Sequence, residues 1–183
     1  MINLVKEIEV VEAISDDSIK LQRLTKEDAK FFYKSLLNKE ITNYLSLGPL
    51  KSIDHAKKLI KNYIKYWNEY QQFNYIIYFK LNKLGSISLW NISWLHRRAE
   101  VGIWIIPNYW NQGFGKRSIE LIKIIAYNHL FLNRLESHIA IENKRSIKMF
   151  MSCGFKEEGI LKQYLNLNGK FQDAMILSHL KNI

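Results

Sequence analysis

The spacing of apolar side chains changes period several times along the chain. Two short stretches rich in β-branched residues, IEVVEA (8–13) and SIKLQRL (18–24), flank an SDD turn and predict a pair of strands. From Thr25 the period becomes helical. TKED has the form of a capping box, with Asp28 at the third helical position, and Ala29, Phe32, Tyr33 and Leu36 recur on one face. LGPLKSID (47–54) breaks that pattern. A longer helix is predicted from about Asp54, with Ala56, Leu59, Ile60, Tyr63, Trp67 and Tyr70 as its apolar stripe and Lys57, Lys58, Lys61 and Lys65 opposite.

The middle of the chain reads differently. NYIIYFKLN (74–82), LGSISLWNISWL (84–95) and RAEVGIWIIP (98–107) are rich in β-branched and aromatic residues and predict consecutive antiparallel strands. Pro107 ends the last of them, because it has no N–H for a ladder. After Gly113 and Gly115, the residues Ile119, Ile122, Ile125 and Ala126 mark an amphipathic helix. RLESHIAI (134–141) predicts a strand, NKRSIKMFMSCG (143–154) a shorter helix, and residues 155–180 a hairpin turning at Asn168-Gly169. The order predicts a mixed α/β (α+β) fold in a single domain over residues 1–183. Its central sheet is mostly antiparallel with flanking helices, and the strand–GxG–helix–strand unit forms a parallel, right-handed crossover.

Composition narrows the class. With 183 residues, 48% of them hydrophobic, the chain supports one full core. The single cysteine, Cys153, excludes an internal disulfide framework and fits a reducing, cytoplasmic setting; its place before Gly154 reads as packing. No apolar run approaches the roughly 20 residues of a membrane span, and the N-terminus lacks the order of a signal peptide. Twenty-seven basic against seventeen acidic side chains leave a net charge of +10. That charge favours anionic partners such as nucleic acid, a phosphorylated cofactor, an acidic peptide or a ribosomal surface, and weighs against a polycationic substrate. The lysine face of the long helix reads as a solvated face, with docking on RNA or a ribosomal particle as the alternative. Histidines 55, 96, 129, 138 and 179 show no metal-ligand spacing, so no metal is expected.

The candidate chemistry begins at YWNQGFGKRS (109–118). A glycine-containing loop that leaves a strand and opens a helix is an anion site, since the first helical N–H groups lack intrahelical partners and the helix dipole adds positive charge. Gly113 and Gly115 would let phosphate oxygens approach those amides. Lys116 and Arg117 oppose the dipole and so read as charges placed for a bound polyanion; a tight turn before a helix is the plainer alternative. The dinucleotide fingerprint fails at Ser118, and the G-x-x-x-x-G-K loop is absent.

VGIWIIPNYWNQGFGKRSIEL, RLESHIAIENKRSIKMFMSCGF and EEGILKQYLNLNGKFQDAMILSHL together resemble the GNAT superfamily of acetyl-CoA-dependent N-acetyltransferases, most closely its RimJ/RimL type, which acetylates protein N-termini. The likeness runs from about Ser18 to the end. It implies a fold with a splayed pair of parallel strands and acetyl-CoA as cosubstrate. Gly113 and Gly115 match the Q/R-x-x-G-x-G/A loop, with Trp110 in its first position. The resemblance implies that the backbone of Gln112, Gly113, Phe114, Gly115 and Lys116 holds the pyrophosphate, that pantetheine runs beside Trp104 and Ile105, and that Asn143 contacts the cofactor.

Acyl transfer to an amine needs a free amine, a donor for the developing oxyanion and help for the leaving sulfur. The resemblance assigns the second to a strand N–H, that of Ile105. Glu100, on one strand face with Gly102, Trp104 and Ile106, is the candidate base, the alternative being a solvated strand residue. Many GNAT enzymes carry a tyrosine where this chain has Phe150; the RimJ/RimL branch relies instead on the serine after the Asn, here Ser146, the alternative being an exposed helix position. Lys144, Arg145 and Lys148 read either as partners of the CoA 3′-phosphate or as solvated charges, and His96 as a solvated turn residue. The expected acceptor is the α-amine of a protein or peptide N-terminus, ribosomal proteins included. HRRAEVGIWIIP and NGKFQDAMI also resemble polyamine acetyltransferases, so a small-amine acceptor is the alternative, followed by a non-catalytic CoA- or RNA-binding protein. Relatives of this type imply a monomer or a homodimer.

Overall fold

Alternation along the middle strands sets the layers. In the computed structural model, which describes residues 8–181, eight strands form one mixed sheet in the order β1-β2-β3-β4-β5-β6-β8-β7. They are β1 Ala13–Ser15, β2 Ile19–Arg23, β3 Phe73–Phe79, β4 Asn82–Ser93, β5 Arg98–Ile105, β6 Arg134–Ala140, β7 Lys156–Leu167 and β8 Lys170–Leu180. Tyr75, Ile77, Ile87, Leu89, Ala99 and Val101 cover one face and pack with α4 (Phe114–Ile124) and α5 (Lys144–Ser152). The other face meets α1 (Ala29–Ser35), α2 (Lys39–Thr42) and α3 (Ile53–Asn68), where Phe32, Leu36, Ile41, Ala56, Ile60 and Ile76 make a second core.

The predicted elements recur with some shifts. The first strand begins where the sequence reading ends it. Ile8 and Val10 pack on the core while the Glu9 N–H reaches the His129 carbonyl, so burial rather than pairing takes those residues. Thr25 opens a single 3-10 turn before α1, and its N–H donates to the Asp28 carboxylate at 2.7 Å, the acid half of the capping box. The helix after the glycine pair ends in a π turn over Ile125–His129. Helix α2, capped by the Asn38 side chain, is an addition to the sequence reading. On α3, Lys57 pairs with Asp54 and Lys65 with Glu69, so part of the lysine face is neutralised by its own helix.

One topological feature positions everything that follows. Strands β5 and β6 are parallel, but they pair only at Arg98↔Arg134, Ala99↔Leu135 and Glu100↔Glu136. Beyond Glu100, β5 stays with β4 as far as Ile105↔Gly85, while β6 stays with β8 as far as Ala140↔Ala174. The sheet therefore opens as a wedge at its middle.

Candidate active site

A cleft of about 720 Å³ occupies the wedge. Side chains bridge its closed end: the Ser137 hydroxyl donates to the Val101 carbonyl at 3.1 Å, and His138 Nδ1 lies 2.9 Å from Glu100 Oε2. Because the Ile106 N–H is bonded back to Leu84 on β4, alternation turns the backbone groups of Ile103 and Ile105 toward the gap, past the last β6 partner. The Ile105 carbonyl is already taken, by the Trp110 indole N–H at 2.6 Å.

The loop from Trp110 to Gly113 closes one side of the cleft. Gly113 is the N-cap of α4 at φ +82°, a left-handed conformation that glycine adopts without a Cβ penalty. A Cβ on Gly113 would meet nothing, whereas one on Gly115 would fall on the Met149 sulfur, so Gly115 also serves the packing of α4 against α5. The first helical bond runs from the Arg117 N–H to the Gly113 carbonyl. Among the described residues, the amides from Gln112 through Lys116 have no protein acceptor. Those donors, gathered at a helix start, fit a diphosphate. Phe114 is buried against Phe79 and Tyr109 and anchors the turn, Lys116 lines the cleft, and the Gln112 side chain turns away to the Asn108 carbonyl. Arg117, read from sequence as a second charge for the anion, instead pairs with Asp16 at 3.2 Å.

Helix α5 forms the opposite wall. Asn143 caps it by accepting the Ser146 N–H at 3.2 Å. Both residues line the cleft, and among the described residues the Ser146 hydroxyl has no partner. Phe150 is buried one turn further on, edge-on to Phe155. The Arg145 guanidinium stacks 3.4 Å above the Trp110 ring, which ties α5 to the loop. Lys144 and Lys148 are exposed, and His96 sits in an exposed turn outside the cleft.

Glu100 differs from the solvated alternative: it is 3% exposed, and its two oxygens accept from Asn91 Nδ2 (2.6 Å) and His138 Nδ1 (2.9 Å). Burial by itself pushes the carboxyl up, but the hydrogen bonds from His138 and Asn91 and the nearby charge of Arg98 outweigh it and hold Glu100 below the usual carboxylate range. Metal-ligand spacing gives no signal for His138. Its signal lies in register: once Ala99 is set beside Leu135, His138 lies two residues past Glu136 on the same face as Glu100.

Beyond Glu100 the cleft has a polar floor. Asn74, Ser88 and Gly102 form one cross-strand row, and Gly102 leaves room for the Trp90 indole and the Ser88 hydroxyl. Asn74 is 4% exposed; its Oδ1 accepts from Gln72, while its Nδ2 has no partner. Trp104 packs against Phe31 and Phe32, and Tyr63, whose hydroxyl burial pushes up to about 12, completes an aromatic wall. Glu40, Ile41 and Tyr44 line the outer rim.

Residues 18–156 match the acetyltransferase (GNAT) domain family. YoaA of Bacillus subtilis, an uncharacterized N-acetyltransferase, is 29% identical over 170 residues, covering 92% of this chain and 96% of that protein. The spermidine N(1)-acetyltransferase of Vibrio cholerae is 28% identical over 160 residues, covering 87% and 91%. Its crystal structure with CoA and spermine superposes with a TM-score of 0.81 at 27% identity, over 90% of this chain and 96% of that one. The ribosomal L7/L12 alpha-N-protein acetyltransferase RimL, solved with coenzyme A, shares the fold with a TM-score of 0.85 at 19% identity, over 92% and 98%. With most of its length inside that match, this chain belongs to the GNAT acetyltransferase family and transfers an acetyl group from acetyl-CoA to an amine.

Proposed function

We propose that the acceptor is an α-amine with a carbonyl beside it, as at the N-terminus of a peptide or protein. One observation carries this reading: the buried, unpartnered Asn74 Nδ2 in the cleft floor. A buried donor without an acceptor costs about 1–3 kcal/mol, and a carbonyl or carboxylate oxygen on the substrate would satisfy it. A polyamine brings N–H donors only. Among the described residues, Glu40 and Glu100 are the acids lining the cleft, and Glu100 is already engaged by Asn91 and His138. Such a lining holds a polycation poorly.

On this reading the amides of Gln112 to Lys116, the Lys116 ammonium and Asn143 hold acetyl-CoA. The N–H of Ile105 faces the developing oxyanion, and the Ser146 hydroxyl donates to the departing sulfur. A thiol titrates near 8.5, so a hydrogen bond is enough help for a fair leaving group. The second reading, a polyamine acceptor, draws on the 28% identity to the Vibrio cholerae spermidine enzyme. A competition assay with acetyl-CoA, a panel of N-terminal peptides and spermidine tests both. Preferential acetylation of peptide α-amines is expected; turnover of spermidine alone would reject the carbonyl-flanked acceptor.

A further inference from the structure

We infer that His138, not Glu100, receives the proton of the attacking amine, and that Glu100 is its positioning residue. The inference rests on the amine entering the cleft described above, whichever amine it is.

The geometry makes Glu100 a poor base. Both of its oxygens already accept, from Asn91 at 2.6 Å and from His138 at 2.9 Å, and the side chain is nearly sealed from solvent. Those hydrogen bonds favour the ionised form over the protonated one, the opposite of what a proton acceptor needs. The same contact prepares the imidazole. A carboxylate has no proton to give, so the hydrogen at the contact belongs to His138 Nδ1, and in the neutral imidazole this leaves the lone pair on Nε2. Among the described residues Nε2 has no hydrogen-bond partner, and His138 lines the cleft. The Tyr164 ring sits edge-on to the imidazole, centroids 4.9 Å apart, and limits its rotation.

Energetics agree. An imidazole is intrinsically a stronger base than a carboxylate, so transfer of an ammonium proton to it is less uphill. In the step, the amine nitrogen bonds to the thioester carbon and its proton passes to His138 Nε2. The C–S bond breaks with its electron pair going to sulfur, and the imidazolium then returns the proton to water or to the thiolate. The charged and titratable neighbours are Glu100 and Arg98 on β5, Glu136 on β6 and Tyr164 on β7; the β8 residue opposite His138 is Ile176.

Two measurements test this. Long-range 1H–15N NMR on the wild-type protein near pH 8 reads the tautomer directly: Nδ1–H is expected, and Nε2–H would overturn the proposal. In steady-state kinetics, H138Q should lower kcat at neutral pH by about 100-fold or more and recover as pH rises and free amine accumulates, with acetyl-CoA affinity by calorimetry unchanged. Wild-type kcat and pH profile in a folded H138Q would equally overturn it. E100Q should shift the tautomer ratio and show a smaller loss. A wild type inert toward both peptides and spermidine would reject the acceptor reading alone, and the tautomer would then decide the fate of His138.

Discussion

His138 Nδ1 lies 2.9 Å from Glu100 Oε2 on strands whose backbone pairing has already ended at Glu100 itself. Side chains therefore take over where the ladder stops. The neighbouring Ser137 hydroxyl, bonded to the Val101 carbonyl, is the second such bridge. The wedge is held at a set opening by these two contacts, one of which also fixes the position of an imidazole.

Replacing Ser137 by alanine leaves the Val101 carbonyl without that donor in a buried setting. A loss of about 1 kcal/mol is expected, or roughly 2–4 °C in melting temperature by differential scanning calorimetry.

Trp110 holds the loop twice, through its N–H to Ile105 and through its ring beneath Arg145. W110F keeps a ring and loses the N–H, so CoA affinity should weaken about threefold to tenfold. W110A should weaken it further. Titration calorimetry with CoA reads both.

The glycines separate by mechanism. Gly113 has room for a side chain but a left-handed backbone, so G113V should cost about 1–2 kcal/mol in stability and impair CoA binding. At Gly115 the obstacle is the Met149 sulfur, which a flexible side chain can withdraw. G115A should therefore be rescued in part by M149A, whereas G113V should gain nothing from it. Paired thermal melts of the single and double variants check this.

Asn74→Leu removes the buried, unpartnered donor while keeping similar bulk. The melting temperature should change little, because the Gln72 amide loses its Asn74 acceptor as the unpartnered donor is removed, and KM for a peptide acceptor should increase about tenfold with KM for acetyl-CoA unchanged. A stability loss with unaltered peptide KM would count against a substrate role for the amide.

Glu158 links β7 to Arg134 on β6 and to Ser178 on β8, and the bonds from Arg134 and Ser178 hold its carboxyl at about 2, against an ordinary 4.5. A lowered native pKa means stabilisation that is complete above the ordinary value and lost as pH falls toward 2. Its side chain is 39% exposed, so solvent screening limits the pair to about 0.2–1 kcal/mol. Urea melts should show wild type above E158Q at pH 6, with the gap closing as the pH is lowered below 4.5.

Helices α1 and α3, the middle strands, the glycine turn and the Asn168-Gly169 hairpin were legible from spacing, because amphipathic period and turn chemistry are local properties. So was the motif order that resembles GNAT enzymes. The position of Arg117 was misread because its partner Asp16 is remote in sequence, and burial displaced the first strand because the surface covering Ile8 and Val10 is remote as well. In the site, the open amides after Trp110 follow from a strand–glycine–helix junction that the sequence displays.

What the sequence by itself determined is the class of most elements and the glycine turn that opens α4, which depend on neighbours within a helical turn or a strand pair. Only the tertiary structure decided where β5 and β6 stop pairing, and thus that Glu100 meets Asn91 and His138 rather than solvent. It also left Asn74 Nδ2 without a partner in the floor of the cleft. Those contacts join strands through register and burial, and neither quantity is carried by any local stretch of residues.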